Sequence, residues 1–163
     1  ATEVFNAVIA TLEARQTLVS EKDTVRLKTH SVDLSDKDVQ LRTVFQHAYE
    51  SAGVEAPSID EVMTRAAVPA TQRQHARKIL QLLIDGGQIR RVQGEMFMDS
   101  RVIEDLKRKL LKYGDENEPG RMIDVATFKE LAGISRKYAI PLLEYFDRER
   151  VTRRAGDKRV ILK

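Results

Sequence analysis

The 163-residue chain is long enough for one ordinary domain or two small ones, and at 42% hydrophobic residues it can build compact cores. Cysteine is absent, which excludes disulfides, thiolate metal sites and cysteine nucleophiles, and no apolar run or basic-then-apolar start suggests a membrane span or secretory signal. The net charge of +3 is unevenly placed: residues 1–134 carry 19 basic against 21 acidic groups, whereas residues 135–163 carry 9 against 4.

In chain order, residues 1–34 read as the second half of an incomplete module. Val8, Ile9 and Leu12 share a helical face, and two short extended runs, 18–20 and 24–27, flank the polar turn Glu21-Lys22-Asp23. A start of this kind implies a fragment of something longer. Ser35 then caps a helix with Asp38 in its first turn, apolar Val39, Leu41, Val44, Phe45 and Ala48, and a stop at Gly53. Beyond Pro57, Ser58-Ile59-Asp60-Glu61 forms a capping box for a short helix. Thr71-Gln72-Arg73-Gln74 forms another for a third helix that reaches Asp85 and stops at Gly86-Gly87. A hairpin follows, with Ile89 and Arg91 alternating on one strand, Gln93-Gly94 in the turn and Met96 to Met98 on the other strand. Three helices and a two-stranded hairpin make a winged helix.

The order recurs. A helix over residues 102–113 stops at Gly114, and the acidic linker 115–120 contains Pro119. Met122-Ile123 forms a short strand, Asp124 caps a helix bearing Val125, Phe128 and Leu131, and Gly133 makes the turn. Ser135 caps a third helix bearing Ile140, Leu142, Leu143, Tyr145 and Phe146, and a last hairpin covers residues 151–161. Pro141 removes the N–H that would bond the Lys137 carbonyl, so this helix either kinks or begins nearer Pro141. At an offset of 62, Ile84-Asp85 matches Phe146-Asp147, Ile89 matches Val151 and Gly94 matches Gly156, as a duplication would give. The expected fold is mainly α with small β-hairpins, α+β, in tandem winged-helix modules: 1–34 (partial), 35–99 and 100–163.

No catalytic set is convincing, and no Gly-rich phosphate loop is present. His30, His47 and His75 fall in separate elements without metal-ligand spacing, so neither catalytic nor metal residues are assigned. The basic C-terminal module carries the site. Ser135-Arg136-Lys137-Tyr138 places two cations and an aromatic ring at a helix N-terminus, whose free N–H groups also favour phosphate. Arg153, Arg154, Lys158 and Arg159 crowd a tight excursion around Gly156-Asp157 and repel one another unless a polyanion neutralises them. Asp157 can either pair within that turn or accept hydrogen bonds from a base or a ribose hydroxyl. Arg73, Arg77, Lys78, Arg90 and Arg91 of the middle module stand in a segment of zero net charge and read as a solvated set, with secondary phosphate contacts as the alternative. That module reads mainly as a spacer.

Phe128-Lys129-Glu130-Leu131, then Ser135 to Asp147, then Val151-Thr152-Arg153-Arg154-Ala155-Gly156-Asp157-Lys158-Arg159 resemble the last winged helix of the SelB family, the bacterial selenocysteine-specific translation elongation factors. The resemblance is strong over residues 121–163 and rests on layout elsewhere. It implies a row of winged helices whose last member grips the selenocysteine insertion (SECIS) hairpin of the mRNA. The RNA contacts it implies fall on Arg136, Lys137, Tyr138, Thr152, Arg153, Arg154, Gly156, Asp157, Lys158 and Arg159. It also implies a GTPase part outside this chain, which would bind GTP and Mg and engage selenocysteyl-tRNA and the ribosome. For the chain itself the expectation is an RNA-binding, non-enzymatic, cytoplasmic monomer without cofactor. A DNA-binding winged-helix regulator and a protein-interaction array are the competing readings.

Overall fold

A computed structural model describes residues 34–163, together with the backbone of residues 18–21 and 24–27. Two compact units divide the chain, Ala1–Lys37 and Asp38–Lys163. Of the first, the described parts are residues 34–37 and an antiparallel hairpin, β1 (Leu18–Glu21) with β2 (Thr24–Leu27), in the place where the sequence puts two extended runs. The helical face of Val8, Ile9 and Leu12, and His30, lie outside the described residues.

From Asp36 onward the chain forms two winged helices in sequence, which but for the first two residues of the first helix make up the second unit. The first winged helix comprises α1 (Asp36–Ala52), α2 (Ile59–Arg65), α3 (Arg73–Asp85) and the hairpin β3 (Ile89–Gln93) with β4 (Met96–Asp99). Its core gathers Phe45 and Tyr49 of α1, Ile59, Val62 and Met63 of α2, Ile79, Leu80 and Leu83 of α3, and Ile89, Val92, Phe97 and Met98 of the hairpin. The Tyr49 and Phe97 rings meet edge to face at 6.4 Å, a favoured aromatic geometry. On α1 the apolar positions divide: Phe45 is buried, but Val39 and Val44 are exposed.

Local chemistry sets most boundaries. The Ser58 box forms in both directions, the Ser58 side chain accepting from the Glu61 backbone and the Glu61 carboxylate accepting from the Ser58 N–H at 2.7 Å. The box expected at Thr71 does not form. A 3₁₀ turn, Ala70–Gln72, leads into α3, and the residue ahead of the helix, Gln72, makes no side-chain cap. In β3 the alternation breaks, because the register shifts between Arg91 and Gln93. This bulge turns Val92 rather than Arg91 into the core beside Ile89.

Asp99 closes β4 and also caps the next helix, its carboxylate accepting from the Arg101 N–H at 2.8 Å, so no linker separates the modules. The second module comprises α4 (Ser100–Glu116), β5 (Met122–Ile123), α5 (Val125–Ala132), α6 (Arg136–Arg148), β6 (Thr152–Ala155) and β7 (Lys158–Ile161). Its sheet has the order β5-β7-β6, all antiparallel. Phe128 of α5 and Phe146 of α6 cross edge to face in a core completed by Ile103, Leu106, Leu110, Ile123, Leu142, Leu143 and Ile161.

Gly114 does not stop α4: the helix passes through it, and the residue is buried. An added Cβ there would lie 2.9 Å from Nη2 of Arg121 and 3.1 Å from Cγ2 of Ile161. The glycine is a close-approach site for a buried arginine rather than a terminator. Asp124 caps α5 through the Thr127 N–H, and Gly133 ends that helix at φ +66. α6 starts at Arg136 and runs through Pro141, which settles the choice that proline leaves open in the sequence. No described helix is long and apolar enough to cross a membrane.

The caps make the fold acid-sensitive. Backbone hydrogen bonds lower the Glu61 and Asp124 carboxyls from their ordinary 4.5 and 3.8, and the Lys163 side chain lowers Glu118. A carboxyl whose folded pKa is depressed stabilises the fold above its unfolded value and loses that contribution as pH falls through the folded one. Thermal unfolding should therefore be nearly flat in midpoint from pH 7 to 5 and decline below about 4. Asp124→Asn, which keeps a capping oxygen but cannot titrate, should reduce that decline; an unchanged acid slope would show that this cap does not contribute.

Candidate nucleic-acid interface

The wing of the second module is the hairpin β6–β7, turned by Gly156 at φ +64, a backbone conformation that suits glycine. Arg154 lies directly across from Arg159, Thr152 across from Ile161, and Ala155 across from Lys158. Arg153, Arg154, Gly156, Asp157 and Lys158 are exposed. The side chains of Arg153, Lys158 and Arg136 form no ion pair or hydrogen bond among the described residues, although the Lys158 charge helps to lower the Asp124 carboxyl, and Arg154 makes one long contact, its Nε donating to the Gly156 carbonyl at 3.4 Å. Asp157 likewise has no partner among the described residues, so the turn does not use it to offset its own cations.

Two of the expected contact residues point inward. The Thr152 and Arg159 side chains are buried, the latter 7% exposed. Arg159 Nε donates to Oδ2 of Asp147 at 2.9 Å, and the Thr152 hydroxyl donates to Oδ1 of the same carboxylate at 2.6 Å. The outward-facing cluster is therefore smaller than the sequence suggests. A carboxylate on the last turn of α6 takes Arg159 out of it, while Arg154, which shares the same face of the sheet, stays exposed.

The helix start divides as well. Arg136 and Lys137 are exposed, and the Lys137 ammonium sits 5.4 Å from the Tyr138 ring centre, a cation–π distance. Lys137 and Tyr138 line a groove of about 650 Å³ that continues over Pro57, Ser58, Glu61, Arg65, Glu95 and Met96 of the first module. Lys137 also helps to lower the Glu61 carboxyl, after the larger effects of the Ser58 hydrogen bonds and Arg65. Asp147 lies ten residues beyond Lys137, about 15 Å along the helix axis, so the wing root and the helix start occupy opposite ends of α6.

The second half of α6 packs against the first module's wing. Arg90 of β3 donates to the Tyr145 hydroxyl at 3.3 Å, Gln93 donates to Glu144 at 2.8 Å, and the Arg148 guanidinium donates to the Val92 carbonyl. The first module thus packs directly against the second. Its remaining cations are mostly occupied internally: Arg73 and Arg77 pair with Asp60, Arg77 with Glu95, Arg90 with Glu104, and Arg91 lies over Phe97. His75 bonds Asp38 at 2.6 Å, and no group of His or acidic residues able to hold a metal occurs among the described residues.

Three helices followed by an antiparallel hairpin, twice over, with a cationic outer surface on the second hairpin, define tandem winged helices of mainly α, α+β class. Residues 116–161 match the family described as "Elongation factor SelB, winged helix". The chain is 29% identical over 143 residues to a selenocysteine-specific elongation factor of Desulfomicrobium baculatum, covering 88% of this chain and 22% of that protein. In fold it is similar to the mRNA-binding domain of E. coli SelB solved in complex with SECIS RNA, with a TM-score of 0.63 at 22% identity over 79% of this chain and all of that one. It is also similar to a bacterial selenocysteine-specific elongation factor EF-Sec, with a TM-score of 0.58 at 20% identity over 96% of this chain and 23% of that one. These matches bear out the resemblance to the C-terminal winged-helix region of SelB, and the chain spans about a fifth of the curated relative's length.

Proposed function

We propose that this chain is the RNA-binding arm of a selenocysteine-specific translation elongation factor, recognising the SECIS hairpin so that selenocysteyl-tRNA is delivered at a UGA codon. The observation that carries it is the set of exposed cations that form no ion pair among the described residues, Arg153, Arg154 and Lys158 on the wing and Arg136 at the start of α6. Such cations contribute little to folding and are available to phosphate. Gly156 brings backbone close to a ligand, and the unpartnered Asp157 supplies an acceptor for a base or a 2′-hydroxyl. Tyr138 offers a ring for an unstacked base. Thr152 and Arg159 serve from behind the wing. The arm itself is non-catalytic, monomeric, cytoplasmic and without cofactor, while GTP, Mg, selenocysteyl-tRNA and the ribosome engage the rest of the factor.

A DNA-binding winged helix, which would insert its third helix in a major groove, is the competing reading. The test is a titration of the 163-residue chain with a bacterial SECIS hairpin and with duplex DNA of equal length, over a salt series. The hairpin should bind more tightly, with log affinity falling against log salt at a slope of roughly −3 to −4, as a few phosphate contacts require. Equal affinity for both ligands, or a flat salt response, would refute the assignment.

A further inference from the structure

We propose that Asp147 is the positioning residue of the wing: it neutralises Arg159, holds both wing strands to the last turn of α6, and so sets where Arg153, Arg154 and Lys158 meet RNA, without touching RNA itself. This rests on the reading of the wing as an RNA-binding surface.

The argument begins with charge. Arg154 and Arg159 are direct cross-strand partners, and like charges in that relation are destabilising. Asp147 is the carboxylate that compensates the inner member of the pair, at 2.9 Å and with Arg159 nearly sealed from water. Its other oxygen accepts from Thr152, which is 2% exposed, so one side chain reaches β6 through Thr152 and β7 through Arg159. A buried cation keeps its place only while its partner does, because an unpaired buried charge is costly. The anchor is itself fixed: the next residue, Arg148, bonds the Val92 carbonyl of the neighbouring module, and Tyr145 and Phe146 on the same turn are buried. Arg154, on the same sheet face but without a carboxylate partner, is thereby left exposed beside a neutralised Arg159.

The variants to compare in the 163-residue chain are Asp147→Ala, Asp147→Asn, Arg159→Ala, Thr152→Val and the double variant Asp147→Ala/Arg159→Ala. Binding to the SECIS hairpin is read across a salt series. Hydrogen exchange of the amides of residues 152–161 is read without RNA. Asp147→Ala is expected to weaken binding about 10-fold and to make the salt slope shallower by about one, as misplaced cations lose phosphates. Asp147→Asn, which keeps one acceptor oxygen but neither the charge nor the second acceptor, should recover only a small part of that loss, and the double variant should be no weaker than Asp147→Ala alone, because the two side chains act as a unit. Wing amides should exchange faster in Asp147→Ala while those of α3 do not change. A merely destabilised protein would show fewer competent molecules at an unchanged slope. Binding of Asp147→Ala that is unchanged, or tighter with a steeper slope, would overturn the proposal, since a released Arg159 would then be contacting RNA directly. If Asp147→Ala does not fold, Thr152→Val decides: about a 3-fold loss supports the proposal and no change overturns it. If the wild-type chain does not bind the hairpin, the functional reading fails, and wing exchange alone then upholds or overturns the positioning role.

Discussion

Arg154→Glu should nearly abolish hairpin recognition, weakening it about 100-fold or more, while Arg154→Ala weakens it about 10-fold. Truncation removes a charge-assisted hydrogen bond, and reversal adds repulsion between the new carboxylate and the phosphate it must approach. Folding should not account for the loss. The Arg154 side chain is exposed, and its one internal contact is the 3.4 Å approach to the Gly156 carbonyl. Reversal also converts a direct cross-strand arginine pair into an opposite-charge pair with Arg159, so the melting temperature should hold or rise. Binding and stability thus move apart, which anisotropy titration and thermal unfolding of the same samples can read together. The wing assignment fails if Arg154→Glu binds the hairpin as the wild type does at moderate salt.

The parts of this fold legible in sequence are those decided within a few residues. Ser58 and Glu61 satisfy each other three positions apart, Asp124 caps through Thr127, and Gly133, Gly94 and Gly156 take the positive φ their turns need. What escaped depends on partners distant in sequence. Gly114 reads as a stop because its close approach to Arg121 and Ile161 exists only once the sheet is in place. Arg159 reads as one more wing cation because Asp147 lies in another element, although an acidic residue at the basic end of α6 offered a hint. The bulge at Val92 gives no local sign, and it is Val92 whose carbonyl Arg148 reaches across the modules. For the site, composition located the cationic module. Which of those cations are free followed from tertiary contacts, Arg159 being taken up by Asp147 while Arg154 on the same face is not.

Arg121 should be the residue on which the second module depends most. It stands at φ +48, a left-handed conformation uncommon for a side-chain-bearing residue, just before β5. That strain is offset by bonds in every direction. Its N–H donates to the Asn117 carbonyl at 2.9 Å and its carbonyl accepts from Ile161 at 2.9 Å. Its Nε donates to the Ile161 carbonyl at 2.9 Å, Nη2 to that of Leu162 at 3.3 Å, and Nη1 reaches Asp115 and Glu118. The carboxylate partners are largely exposed and contribute modestly, whereas the side chain is 7% exposed and covers strand-end carbonyls. Arg121→Ala would leave those acceptors poorly satisfied and open a void against Gly114, lowering the melting temperature by roughly 10 °C or more. Gly114→Ala alone should also destabilise, despite alanine's better helix propensity, because its Cβ would press on the fixed guanidinium. In the double variant the second substitution should cost less than it does alone, since the truncated side chain no longer meets the new methyl group. Thermal unfolding of the two single variants and the double variant measures that coupling, and strict additivity would mean that Arg121 does not hold the module together through this contact.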